Sequence, residues 1–183
     1  MSARRNLGAM RTVLLLLIAG AWGALAGADP IARSAAGVAI AVPADWRAAP
    51  LTGAALTLES PHDVKDQAAV RAAGRLALTV TPTEVATAAD AAAVLRVDLE
   101  RVALAFEVLE DAETVIAGRA WRTLRFRFRT GQLGWEQRLL VAVDGGRVAH
   151  LSLSTDLDHA DDWSAAFAAV VESLRWDPAA PLE

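Results

Sequence analysis

Two stretches of helical period interrupt a chain whose apolar residues otherwise alternate, and this switching constrains the fold more than any motif does. Ala88, Ala92, Leu95, Leu99, Val102 and Phe106 recur at steps of three and four, one stripe of an amphipathic helix. Thr87 stands where an N-cap belongs, with Asp90 three residues on as its acidic partner. Near the end, Trp163, Phe167, Val170 and Leu174 form a second stripe. It predicts a helix from about His159 to Leu174, with Asp158 as cap and Asp161 and Asp162 in a first turn that favours negative charge.

Elsewhere the period is two. Val38 to Val42 predicts a strand ended by Pro43, and Ala44-Asp45-Trp46 a turn. Ala55 to Glu59 and Arg75 to Thr81 predict two more strands, with His62 to Gly74 as a polar loop between them. After the first helix come Glu107 to Ile116, a turn at Ala117-Gly118, Ala120 to Arg129, Trp135 to Val143, a tight hairpin at Gly145-Gly146, and Val148 to Ser154. The order is strands, helix, antiparallel meander, helix, which is α+β. The meander is apolar on both faces near Leu139 to Leu153, so both faces need cover. Two helices on opposite faces supply it, as does one helix with a folded-over hairpin.

The first 28 residues read as a secretory signal peptide. Arg4, Arg5 and Arg11 precede the apolar run Val13 to Ala21, and small residues at Ala24-Leu25-Ala26 and Ala26-Gly27-Ala28 fit a signal peptidase. An uncleaved anchor is the alternative, but residues 12–28 include three glycines and fall short of the ~20 apolar residues of a membrane span. Residues 29–183 then form one domain, with its core at about 35–177. The reading places the protein outside the cytoplasm, in a periplasm or beyond the cell.

The chain has no cysteine. Lipidation at the cleavage point, disulfides, thiolate metal sites and a cysteine nucleophile are all excluded. Three of the 18 basic residues and none of the 22 acidic ones lie in the leader, leaving 15 against 22 and a net charge of −7. That argues against nucleic acid as a partner, since phosphate binding needs a basic footprint.

The succession resembles the PsbP-like fold. Photosystem II extrinsic subunits, the Ran-binding Mog protein and bacterial exported proteins of the DcrB type share it. The resemblance is carried by Gly37 to Trp46, Ile116 to Trp121, Gln137 to Val141, Gly146 to Leu151 and the closing Phe167 to Arg175. It implies an α/β/α sandwich with a central, largely antiparallel sheet and two main helices. It also implies a domain that binds other molecules, usually proteins, and is not an enzyme. No shared catalytic motif carries over.

The arginine strand is the most distinctive local feature. Leu124, Phe126 and Phe128 point one way, and Arg125, Arg127 and Arg129 the other. A turn centred on Gly131-Gln132 sets Phe128 opposite Trp135, Leu124 opposite Leu139, Arg127 opposite Glu136 and Arg125 opposite Arg138. Two readings stay open. One is a basic patch for an anionic ligand or a partner's carboxylates, built on Arg125, Arg127, Arg129 and Arg138 with Trp121 as an exposed indole. The other is a solvated face neutralised by Glu136 and nearby acids, with Trp121 packed under a helix.

Asp156, Asp158, His159, Asp161 and Asp162 lack the glycine turn and the spaced bidentate acid of a calcium loop, and helix capping accounts for them. His62 beside Asp63, with Ser60 before it, lacks a nucleophile elbow. His150 falls in a predicted strand. The sequence thus predicts a non-enzymatic, cofactor-free accessory domain that engages another envelope protein. A carrier for a small apolar or anionic ligand held between sheet and helix is the alternative, and a hydrolase using His62 or the acidic cluster is the third reading.

Overall fold

The computed structural model describes residues 30–49, 55–65 and 70–181. The leader lies outside the described residues. Twelve strands are described: β1 (Ile31–Ala35), β2 (Val38–Val42), β3 (Arg47–Ala48), β4 (Leu56–Glu59), β5 (Asp63–Lys65), β6 (Val70–Ala72), β7 (Gly74–Pro82), β8 (Leu104–Ile116), β9 (Arg119–Thr130), β10 (Leu133–Asp144), β11 (Arg147–Asp156) and β12 (Arg175–Trp176). Helix α1 spans Ala88–Val102 and helix α2 spans Ser164–Ser173. A seven-stranded antiparallel sheet runs β3-β4-β7-β11-β10-β9-β8. A second sheet, β1-β2-β12, has three strands.

The meander's turns set its register. Ala117 and Gly118 both have positive φ, as do Gly145 and Gly146, the backbone of the two-residue hairpin turns that match strand twist. Asp144 therefore pairs with Arg147, and this fixes which face each β11 residue takes. Leu151 goes to one side of the sheet and His150 to the other.

Both faces of the large sheet are covered, as an apolar meander requires. On one face, Phe167, Val170 and Leu174 pack with Leu140, Ala142, Ala149, Leu151, Leu76 and Leu78. The small sheet adds Val38, Ile40 and Val42 to this core, and the Ala41 amide donates to Ser173 Oγ at 2.8 Å. On the other face, Ala91, Ala92, Leu95 and Leu99 pack over Leu124, Phe126, Leu139, Val141 and Val148. This is an α/β/α sandwich in which one outer layer is a helix together with a small sheet. Fully burying each large apolar side chain contributes roughly 1.5–3 kcal/mol. With no cysteine to crosslink it, the domain rests on these two cores.

Three expectations are corrected. His62 to Gly74 is not all loop: β5 pairs antiparallel with β6, satisfying backbone groups that a polar sequence gave no sign of pairing. The first helical stripe ends a turn early. The backbone leaves the helix at Ala103, Ala105 takes a positive φ, and Phe106 enters β8, where its ring lies 5.0 Å from Phe126. The last helix starts at Ser164 rather than near His159, because Asp156 captures the segment before it. Its carboxylate accepts from the Asp158 amide and pairs with His159, closing a 3₁₀ turn over Leu157–His159. Thr87 caps α1 as expected: the Asp90 amide donates to its hydroxyl at 3.1 Å, and the hydroxyl donates back to the Asp90 carboxylate at 2.7 Å.

Candidate functional site

The hairpin β9-β10 carries the arginines. Its loop is Gly131-Gln132, and the register sets Phe128 opposite Trp135, Leu124 opposite Leu139, Arg127 opposite Glu136 and Arg125 opposite Arg138, all as the alternation requires. Arg125, Arg127, Glu136 and Arg138 share the face that α2 covers. Glu136 sits at their centre and is only 4% exposed. Arg125 Nε donates to it at 2.7 Å and Arg127 Nε at 3.2 Å, while Arg138 Nε stands 3.9 Å away. Burial works against its charge, but the hydrogen bonds from Arg125 and Arg127 outweigh burial and hold its carboxyl below the usual range.

Arg138 is positioned differently. Burial, and then the neighbouring Arg125, push its pKa down. Its guanidinium donates to Ser164 Oγ at 3.2 Å at the start of α2 and lies 5.7 Å from the centre of the Phe167 ring. The edge strand adds acids that the sequence did not place. A bulge between Val108 and Glu110 lets β8 set Glu107 opposite Arg127 and Glu110 opposite Arg125. Glu107, Glu110 and Glu136 thus share a face with Arg125, Arg127 and Arg138, but among the described residues the ion pairs of these arginines are all made by Glu136. The inner part of the arginine face is gathered on one buried carboxylate. The acidic residues of the β8 run hint at the two further carboxylates, and the bulge that aligns them has no clear sequence signal.

The exposed cations lie toward the hairpin end. Arg127 keeps 45% of its side chain in solvent, and exposed Arg129 makes, among the described residues, one side-chain hydrogen bond, at 3.5 Å to the Gln132 carbonyl. Trp121 shares the arginine face but is not an exposed indole. It is 1% exposed, buried in the α2-side core beside Trp176, whose ring centre lies 6.0 Å away. The cover that β12 supplies was not foreseen, because Arg175–Trp176 is too short to read as a strand.

The other singled-out residues have structural partners. Ser60 is fully buried, donates to the His62 carbonyl at 3.1 Å and accepts from the Gly74 amide at 2.9 Å, so its hydroxyl is not held against the His62 ring. That ring packs 5.9 Å from Trp163. His159 Nδ1 pairs with the buried Asp156 carboxylate at 2.8 and 3.0 Å. Among the described residues, no three histidines or carboxylates converge as metal ligands would. No helix among them is long and apolar enough to cross a membrane.

On the opposite face, an open groove of about 380 Å³ runs between α1 and the β10-β11 pair. Leu95, Leu99 and Val102 line its helix side, and Gln137, His150 and Ser152 its sheet side. The sequence reading gave His150 a strand position but no role.

The architecture has the PsbP-like/Mog1 fold. The cyanobacterial PsbP protein CyanoP from Synechocystis sp. PCC 6803 superposes with a TM-score of 0.62 at 16% identity, over 85% of this chain and 96% of CyanoP. LpqN, described as involved in cell envelope biogenesis of Mycobacterium tuberculosis, gives 0.60 at 16% identity, over 81% of this chain and 90% of LpqN. Mog1 gives 0.55 at 11% identity, over 82% of this chain and 96% of Mog1. These likenesses show the fold, and they bear out the PsbP and Mog part of the expected resemblance; a DcrB-type protein is not among these three. No family model and no curated protein matches the chain by sequence.

Proposed function

We propose that the chain is an exported, non-enzymatic accessory domain, 29–183 after loss of the 1–28 leader, that engages another protein of the cell envelope. The observation that carries this reading is the pair of exposed arginines, Arg127 and Arg129, toward the hairpin end of an otherwise acidic domain. Opposite charge on a partner gives such a surface both orientation and faster encounter. Arg125 and Arg138 flank Glu136 in the middle of the two strands; Arg129, and the solvent-facing part of Arg127 beyond its bond to Glu136, present the charge. The fold shared with CyanoP and LpqN supports an accessory role.

Site-specific photocrosslinking in the native envelope tests it. A photoreactive residue in place of Gln132, exposed in the loop beside Arg129, should yield a discrete crosslinked protein. The same residue at Ala89, on the exposed side of α1, should not. Equal labelling from both positions, or none from position 132, contradicts the reading.

A further inference from the structure

The groove on the α1 face has an origin in the sheet's chemistry. Helix α1 packs on β8, β9 and β10, where that face is apolar: Leu124, Phe126, Leu139 and Val141. Beyond β10 the same face turns small and polar. Leu139 pairs with Ser152 and Ser152 with Ala77, while Val141 pairs with His150 and His150 with Thr79. An apolar helix gains nothing by advancing over hydroxyls, so beyond β10 it keeps only Val148 at the start of β11 and leaves, over Ser152 and His150, a trough with one apolar wall and one polar wall.

Three features describe what fits there. The apolar wall is Leu95, Leu99 and Val102, and Val102 stands 73% exposed at the lip. The polar side offers the Gln137 amide, the Ser152 hydroxyl and His150, whose Nε2 is out of solvent and without a hydrogen-bond partner among the described residues. The charges in the lining cancel: Asp98 and Arg101 pair with each other at 2.8 Å on the rim, and burial favours the neutral form of His150. The volume falls in the range of small-molecule sites, about 300–1,000 Å³.

We propose that this groove binds a small uncharged amphiphile, its apolar body against Leu95, Leu99 and Val102 and its hydroxyl or carbonyl group over Gln137, His150 and Ser152. A charged head group would enter a lining with no opposite charge to spare. The groove lies on the other side of the sheet from the arginines. Ligand binding here and partner binding there stand or fall separately.

The test uses three probes of one chain length, 1-octanol, octanoate and octylammonium, followed by methyl and imidazole NMR of the whole domain. Octanol should shift the Leu95 and Leu99 methyls and the His150 ring saturably. The two ions should bind at least about tenfold more weakly, because their charge must be desolvated without a partner. Leu99→Arg should abolish the octanol shifts, and Val102→Glu, at an exposed position that tolerates charge, should weaken them if Leu99→Arg does not fold. No saturable shift with octanol overturns the proposal. So does equal binding of either ion, or octanol binding that survives both variants.

Discussion

Arg125 reaches Glu136 along the diagonal of the β9-β10 pair, not straight across it. Arg125 faces Arg138 directly, yet its Nε donates to Glu136 Oε1 at 2.7 Å, two residues along the neighbouring strand on the same face. Directly opposed like charges destabilise a strand pair. The diagonal bond places a carboxylate between two guanidiniums that would otherwise repel. Glu136 is thus the residue that lets an arginine-rich strand belong to this sheet.

Removing that carboxylate should be costly. Glu136→Ala leaves Arg125, Arg127 and Arg138 facing one another beside the α2-side core. Losing one member of a fully buried pair costs about 3–5 kcal/mol. These arginines keep 26–45% of their side chains in solvent, so screening lowers the expected loss to about 2–3 kcal/mol. Urea denaturation checks it. The carboxyl is held below 4.5, so its stabilisation is present above that value and is lost as pH falls through the lower folded value. Glu136→Gln should flatten the acid limb of the stability curve.

His159 should give the opposite dependence. Its hydrogen bond to Asp156, helped by Asp162 and Asp158, raises its pKa above 6.5. The imidazolium therefore stabilises the fold fully below 6.5, and the contribution disappears as pH rises through the raised folded value. An NMR titration of the His159 ring should show the upward shift and Asp156→Asn should remove most of it. An unshifted titration in the wild type contradicts this arrangement.

Phe167 and Val102 separate core from surface on the two helices. Phe167 is buried against both the large sheet and Arg138, and Phe167→Ala should cost about 3–5 kcal/mol. Val102 belongs to the apolar stripe by spacing but stands in solvent, and Val102→Ser should change stability by no more than about 0.5 kcal/mol. Thermal unfolding of the two variants decides whether the stripe ends at Leu99.

The turn at Ala117-Gly118 holds a correctable strain. Ala117 sits at φ 52°, a conformation costing an alanine about 1–2 kcal/mol. Asparagine followed by glycine suits two positive-φ residues far better. Ala117→Asn should therefore raise stability by about 0.5–1 kcal/mol in a denaturant series, without altering the Ile116–Arg119 pairing.

Much of this was legible from period and punctuation. Alternation through Leu124 to Arg129 and a two-residue turn at Gly131-Gln132 were enough to pair Arg127 with Glu136 and Arg125 with Arg138. The Thr87 cap and the Phe167 stripe were equally local. Part of what escaped was set by partners distant in sequence: Glu110 stands opposite Arg125 through a bulge, and Trp121 is covered by a two-residue strand more than fifty positions on. The rest was local competition, as Asp156 draws His159, three residues on, into a 3₁₀ turn in place of the helix start. The groove was hidden because it depends on where α1 stops over the sheet, and helix period alone says nothing of that.

The measurement closest to the central claim is crosslinked capture from the native cell envelope with Arg127→Gln/Arg129→Glu beside wild type. Both substitutions spare Arg125, so Glu136 keeps its strongest partner and the variant should fold. The account predicts an envelope protein captured by the wild-type domain and lost with the folded variant, in the cell fraction where the mature 29–183 chain is found. Equal capture by both domains would contradict the claim that this end of the hairpin is the docking surface. Recovery of the chain in the cytoplasm with residues 1–28 attached would contradict the claim of export.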